Sequence, residues 1–269
     1  MIRTMLILIV FANVALGQGM IQQYDRENFA MQVKQIDEFI ERFNNTDSTL
    51  VKKYLKEQYD LEVSRKDLVL SLFDLQSKNW DQQQIKQFLE DVVYSSKPPY
   101  LSFYDRNWYA NVECSADYQG QAISFELVMS TVTNPKKGTV NWVIRSLNAS
   151  DIDFCGSFDF NTLLPPNGHG TNFLELRRMF TNPKNYYDHT QPEENLMNQM
   201  LQMAAQGDLE FLGVKNIAYH FLQLDRWIIR VEEIEQSNTD TISGWLIRAL
   251  IQANEEEKEK YLYNHLYIK

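Results

Sequence analysis

The residues best suited to acid–base or ligand chemistry are a histidine and a glutamate six positions apart, His169 and Glu175. They lie in a Pro- and Gly-rich loop, residues 165–175, that leads into a predicted helix. Such a pair could act as an acid and a base, or as two ligands of a site at the mouth of the helix. Asn172 adds a structural alternative, because Asn172 and Glu175 have the spacing of a helix capping box. We take His169, Asn172 and Glu175 as candidate binding residues and keep both interpretations.

Metal-binding patterns are missing from the sequence. It contains neither a His-x-x-x-His nor a Cys-x-x-Cys spacing, and a zinc site requires three or more protein ligands. We therefore expect no metal and no cofactor. The two cysteines, Cys114 and Cys155, could form a disulfide in an oxidising compartment if the chain after the third predicted strand turns back toward the first. Two buried free thiols are the alternative.

The first seventeen residues have the pattern of a secretory signal peptide. Arg3 gives a positive start, Met5 to Val14 form an apolar run, and Ala15-Leu16-Gly17 is a small-x-small cleavage pattern. The apolar run has about ten residues, whereas a membrane-spanning helix needs about 20. We therefore predict a signal peptide at residues 1–17, no membrane span, and a mature protein that is periplasmic or secreted.

The charge of the chain limits its partners. It has 26 Lys and Arg against 36 Asp and Glu, a formal net charge of −10 at pH 7. Nucleic acids require a basic surface, so nucleic acid is excluded as a partner. Anionic lipid surfaces are disfavoured for the same reason.

Hydrophobic periodicity divides the first half into helices followed by strands. Apolar residues fall at helical spacing over residues 29–43, and Ser64 and Asp81 are suited to begin two further helices. Apolar and polar residues then alternate in three runs, at 108–114, 123–129 and 140–144, which predicts consecutive antiparallel strands. Turn residues separate these runs. This order predicts a first α+β domain over residues 18–148.

The second half repeats this order in a shorter form. A stretch rich in Asn, Gly and Pro, residues 149–171, is predicted to be a linker. Helix-like segments follow at 172–180 and 193–205, and strand-like segments at 210–224, 227–234 and 242–251. The run Trp142-Val143-Ile144-Arg145 recurs as Trp245-Leu246-Ile247-Arg248. We therefore predict a second, shorter α+β unit at 172–269, related to the first.

Three segments resemble the nuclear transport factor two-like, or cystatin-like cone, superfamily: Ile36 to Asn44, the hairpin Asp117 to Gly120, and Lys137 to Arg145. The chain also looks like secreted bacterial proteins of unknown function built on that cone. The resemblance implies an α+β fold in which helices pack on a curved antiparallel sheet, here in two tandem cone-like units. The cone serves isomerases, dehydratases and polyketide cyclases as well as non-catalytic modules, so it does not define an activity.

Enzymes of this superfamily hold an acid or base and a donor inside an apolar pocket. In this chain the resemblance suggests Tyr104, Asp105, Tyr109 and Glu126 as groups that could line such a pocket, and we take Tyr104 and Asp105 as candidate binding residues. Glu126 lies on the opposite face of its strand from Phe125 and Leu127. We expect Glu126 to face solvent, because burial of the apolar set outweighs burial of one acid.

Two classes of function remain from the sequence. The first is a non-catalytic binding or assembly module, whose partner is an unknown small molecule or an envelope protein. The alternative is a small-molecule isomerase, lyase or hydrolase with its pocket inside the first cone. A homodimer formed through exposed aromatic sheet surfaces is a further expectation. An interior filled by Trp142, Phe125 and Phe39 would favour the module, whereas an open polar interior would favour the enzyme.

Overall fold

A computed structural model describes residues 32–74, 80–134, 139–158, 160, 164, 173–188, 195–234 and 243–268. The predicted signal peptide, residues 1–17, lies outside this part of the chain, and so do His169 and Asn172. The described residues form seven α-helices and seven β-strands. The protein is therefore α+β, as the sequence predicts.

Four helices precede the sheet: α1 (Ile36–Asn44), α2 (Leu50–Tyr59), α3 (Arg65–Leu70) and α4 (Gln82–Val92). Ser64 and Asp81 cap α3 and α4 as predicted. The Ser64 hydroxyl accepts from the Asp67 N–H, and the Asp81 carboxylate accepts from two N–H groups of the first turn of α4.

Three long strands follow as an antiparallel meander: β1 (Trp108–Tyr118), β2 (Gln121–Asn134) and β3 (Thr139–Ala149). The alternation of buried and half-buried residues along β1 confirms the period-two pattern. Gln119 and Gly120 form the tight turn between β1 and β2, both with positive φ angles.

The second half adds β4 (Phe154–Ser157), α5 (Leu174–Thr181), α6 (Leu196–Gln206), β5 (Leu209–Leu224), β6 (Trp227–Ile234), β7 (Gly244–Gln252) and α7 (Glu255–Leu266). Strand β4 falls within the stretch predicted as a linker and pairs with β3. Helix α7 forms from the charged, Tyr-rich end of the chain and begins with a capping box between Asn254 and Glu257.

The strands form one curved, unclosed antiparallel sheet in the order β4-β3-β2-β1-β5-β6-β7. The halves meet where β1 pairs with β5, with Ala110 opposite Tyr219. One large hydrophobic cluster includes residues of both halves, among them Phe39, Trp142 and Trp245. The two halves thus share one sheet and one main core.

The free edge of β7 is partly covered by two segments of the chain that precede the sheet, one at Val33 and one at Leu72. The Trp245 N–H donates to the Val33 carbonyl and the Ile247 N–H donates to the Leu72 carbonyl, each at 2.7 Å. Gly244 has a φ angle of +98°, and a Cβ atom there would lie 2.1 Å from the Val33 carbonyl oxygen. Only glycine allows this close approach.

The two faces of the sheet are covered differently. The inner face carries the main core, to which helices α1 and α3 to α6 contribute. The outer face carries a smaller, separate cluster that includes Tyr261 and Leu266 of α7. This second cluster comprises Val128, Leu222, Ile228, Ala253, Tyr261 and Leu266.

Candidate functional site

The inner face is filled by aromatic side chains. Phe39 of α1 stacks on Phe221 of β5 with ring centroids 5.7 Å apart, and Trp108 meets Trp142 edge-on at 4.9 Å. Phe125 meets Phe180 of α5 at 5.7 Å. The exposed fractions of Phe39, Phe125 and Trp142 are 0%, 1% and 4%. The interior positions of Phe39, Phe125 and Trp142 are therefore filled by packed rings.

A buried ion pair accompanies this packing. Arg42 and Glu38 lie one turn apart on α1, with the Arg42 Nη2 atom 2.6 Å from Glu38 Oε1. Arg42 also donates to the Gln32 carbonyl at 2.7 Å. Burial lowers the pKa of Arg42, while the Glu38 carboxylate opposes that shift. These contacts connect the segment before α1 to the last turn of the helix.

Glu175 lies in the first turn of α5, where its carboxylate accepts from the Tyr186 hydroxyl. Arg178, one turn later, donates to the same carboxylate at 3.1 Å. Desolvation, followed by the hydrogen bond to Glu175, raises the pKa of Tyr186 to about 12. The described contacts of Glu175 are thus with Tyr186 and Arg178.

Tyr104 and Asp105 lie in the turn that leads into β1. The Tyr104 ring is 63% exposed, and its carbonyl accepts from the Thr133 hydroxyl at 3.3 Å. The Asp105 carboxylate accepts from the Asn107 N–H at 3.0 Å, while its carbonyl accepts from the Thr131 hydroxyl. These hydrogen bonds attach the turn to β2. Glu175, by contrast, is bonded to Arg178 on α5 and to Tyr186 after that helix, and no described hydrogen bond joins it to Tyr104 or Asp105.

The disulfide considered between Cys114 and Cys155 is not formed. Both cysteines are free; Cys114 is buried on β1 and Cys155 is exposed on β4. The order β4-β3-β2-β1 places three strand spacings between them, on the order of 14 Å, and a disulfide allows at most about 7 Å between Cα atoms. Burial raises the pKa of the Cys114 thiol, which keeps it protonated.

The outer face carries a row of polar side chains at one level of the sheet. Tyr109 on β1 pairs with Ser130 on β2 and with His220 on β5, and His220 pairs with Arg230 on β6. Directly paired residues of antiparallel strands point to the same face. We call Ser130, Tyr109, His220 and Arg230 the polar row. Arg145 of β3 extends it, because its Nε atom donates to the Ser130 hydroxyl at 2.9 Å.

Helix α7 crosses the outer face beside this row. The His220 Nδ1 atom lies 2.8 Å from the Tyr261 hydroxyl, and the bond is buried. The ring of His265 contacts Tyr261 with centroids 4.6 Å apart. Near the end of the helix, the buried Ser146 hydroxyl of β3 donates to the Leu266 carbonyl at 2.7 Å. The helix is therefore anchored to β5 through Tyr261 and to β3 through Leu266.

The electrostatics of the row keep His220 neutral. Burial, followed by the nearby charges of Arg230 and His265, lowers the pKa of His220 to about 3. Burial likewise raises the pKa of Tyr261 to about 12. The His220 Nε2 atom is buried without a hydrogen-bond partner among the described residues. A general acid or base titrates near the working pH and reaches a substrate, so the arrangement suits a buried anchor better than a catalytic pair.

Sequence patterns indicate only some of these contacts. Alternation around Trp108 and Ala110 indicates that Tyr109 faces outward, but only the strand register brings Tyr109, His220 and Arg230 together. The recurring Arg248 of β7 forms an ion pair with Asp74, and Arg230 forms one with Glu232, where its Nε atom lies 2.6 Å from Glu232 Oε1. Periodicity alone does not identify such partners.

No group of three or more His, Cys, Asp or Glu side chains in the described part of the chain is arranged to hold a metal ion. None of the helices within the described ranges combines the length and apolar character needed to cross a bilayer. Comparison of the chain with protein-family models, with curated proteins and with solved structures gives no match.

Proposed function

We propose that the protein is a non-catalytic binding or assembly module that acts in the periplasm or outside the cell. The location rests on the signal-like residues 1–17. The partner that we favour is an envelope or extracellular protein, bound through the surface of the module.

The observation that carries this proposal is the filled inner face. Enzymes and small-molecule carriers need a concave site with converging polar groups. Here, between α1 and the sheet, the ring of Phe221 stacks on those of both Phe39 and Trp108. The lowered pKa of His220 and the raised pKa of Tyr261 belong to the outer face, where both groups serve to hold α7.

We further propose that the chain consists of two cone-like units of the nuclear transport factor two-like type. Support comes from the order of elements, since each half has helices followed by a meander of three long strands. The first strands of the two meanders, β1 and β5, pair with each other. Trp142 and Trp245 lie near the start of the third strand of each meander. Such an arrangement would leave no open interior between the units.

Exposed aromatic side chains are the natural contact points for a protein partner, because they bury a large area at small entropic cost. Tyr100 and Tyr104, in the segment before β1, and Tyr263 on α7 are each at least 60% exposed. Tyr100 and Tyr104 lie close together in the sequence, whereas Tyr263 lies on α7. The three residues therefore probe two separate parts of the surface.

The proposal is tested by photo-cross-linking of the full chain secreted by its own host. A benzophenone side chain replaces Tyr100, Tyr104 or Tyr263 in turn, with Leu212 of β5, which is 53% exposed, as the matched apolar control. We expect an adduct with one defined protein at some of these positions and none at the others. An adduct of twice the chain mass would identify a second copy as the partner.

One result would contradict the module proposal. If no position gives a protein adduct while native mass spectrometry of the same sample shows a small molecule that leaves on unfolding, the module proposal is wrong. An enzyme or carrier with a pocket would then be the better explanation.

A further inference from the structure

Helix α7 is attached differently from α1 and α3 to α6, which contribute to the main core. Its apolar contacts belong to the small outer cluster and are separate from the main core. Its polar anchors are the Tyr261–His220 and Ser146–Leu266 hydrogen bonds. An element held by few buried apolar residues opens at a lower free-energy cost than one built into the core.

His220 is enclosed by groups from each element that packs against it. Tyr109 faces it from β1, Arg230 faces it from β6 with Glu232 two residues on, and Tyr261 and His265 face it from α7. Two of these neighbours, Arg230 and His265, disfavour a positive charge on His220. The Glu232 carboxylate would favour that charge, but it already forms ion pairs with Arg230 and Arg248.

We propose that α7 is an acid-released strap: when His220 binds a proton, the helix leaves the outer face of the sheet while the inner face stays packed. The step adds one proton from solvent to the unprotonated ring nitrogen of His220 and raises the charge of the ring by one. The inference does not depend on what the protein binds.

The geometry explains why the docked helix and the protonated ring exclude each other. A neutral imidazole satisfies Tyr261 in either tautomer, since one ring nitrogen donates and the other accepts. In the protonated ring both nitrogens donate. The Nδ1–H can still donate to the Tyr261 hydroxyl, but the Nε2–H has no acceptor among the described residues. A buried charge with an unsatisfied donor is costly, and release of α7 gives both groups water.

Release has a defined structural result. It exposes Tyr109 and His220 of the polar row together with Val128, Leu222 and Ile228, which the second cluster otherwise buries. Strands β1 and β5 stay paired, because their other face lies in the main core.

The test is hydrogen exchange of the full chain, followed by mass spectrometry of peptides that cover residues 253–268. Exchange is compared at pH 7.5 and pH 4.5 after correction for the intrinsic pH dependence of amide exchange. With a docked pKa near 3 and a released pKa of about 6.5, linkage predicts that the opening equilibrium of α7 rises about 100-fold. Peptides from β1 and β5 should keep their protection.

Three variants identify the proton-binding group. His220→Gln should make α7 protection independent of pH over this range. Tyr261→Phe removes the partner hydroxyl and should loosen α7 at both pH values, with the pH response retained. His265→Gln, at an exposed neighbour, should also retain the response.

The wild-type chain alone can overturn the inference. Protection of α7 that is the same at both pH values, or a parallel loss of protection in α7, β1 and β5, would each contradict a locally released strap. A pH response that persists in His220→Gln would assign the effect to another group. If that variant does not fold, the His220 ring signals in the NMR spectrum decide, because they must titrate in step with the opening of α7.

Discussion

The two faces of the sheet bury their residues in different ways. The inner face joins large aromatic rings from both halves of the chain into one core, in which Trp108 alone meets Trp142, Tyr219 and Phe221. The outer face buries a few aliphatic residues, together with Ser130 and His220 of the polar row. The inner face thus holds the fold together, whereas the outer face holds an element that can come away from it.

The difference lies in the kind of contact. When packed rings are truncated, the protein loses stability in proportion to the volume removed. This contribution depends little on pH, because Phe and Trp rings carry no titratable group. Buried hydrogen bonds that include a titratable ring depend on protonation and are costly when one partner is lost. Mutations on the two faces should therefore differ both in size and in pH dependence.

The largest effect is expected on the inner face. Trp108→Ala should lower the free energy of unfolding by about 4 kcal/mol, because it leaves a cavity among fully buried rings. Urea denaturation at pH 7 measures the change. Trp108→Phe is the milder control and should cost less. A loss below about 1 kcal/mol for the alanine variant would mean that this core does not support the sheet.

The next effect belongs to the outer face and depends on pH. Folding lowers the pKa of His220 to about 3, so below pH 6.5 the unfolded chain binds a proton that the folded chain does not. Stability is therefore present above pH 6.5 and is lost as the pH falls toward 3, by about 2 kcal/mol between pH 7 and pH 5. The measure is the difference between wild type and His220→Gln in urea at each pH. Equal losses in both chains would remove His220 as the cause.

A smaller effect tests the second anchor of α7. Ser146→Ala removes the buried hydroxyl that donates to the Leu266 carbonyl and should cost about 1 kcal/mol. The loss should appear as faster hydrogen exchange in residues 253–268, with β3 unchanged. Equal loosening of β3 and α7 would mean that Ser146 supports the strand rather than the helix.

The smallest effect lies on the part of the outer face that is partly open to water. Glu113 on β1 lies directly opposite Glu126 on β2, and like charges in this position repel. Glu113→Lys should raise the free energy of unfolding by about 0.5 kcal/mol. The gain should shrink in high salt. Glu113→Gln, which removes the repulsion without adding an attraction, should gain less.

Local patterns predicted much of the fold. Alternation predicted β1 to β3, and the side chain of Asp81 marked the start of α4. Helix α1 was predicted to start earlier than it does, because Val33 fits helical spacing but pairs with Gly244 at the sheet edge. Apolar spacing did not lead us to predict helix α2, of which only Val51 is buried.

Long-range contacts could not be predicted. Nothing local indicates that β1 pairs with β5 and so joins the two halves in one sheet. The charged, Tyr-rich segment that forms α7 shows no clear helical stripe of apolar residues. Its helix is stabilised by burial of Tyr261 and Leu266 on the outer face, which local patterns do not reveal. Three of the five candidate binding residues, Glu175, Tyr104 and Asp105, lie in the described part of the chain; His169 and Asn172 lie outside it.

The bridge between Val33 and Gly244 bears on the order in which the protein can fold. It joins a segment that precedes every described helix to a strand that is made much later. The edge of β7 cannot close until β7 itself has been made, and pairing between such distant residues slows folding. This edge is therefore expected to close late in folding, with the segment around Val33 unpaired until β7 is available.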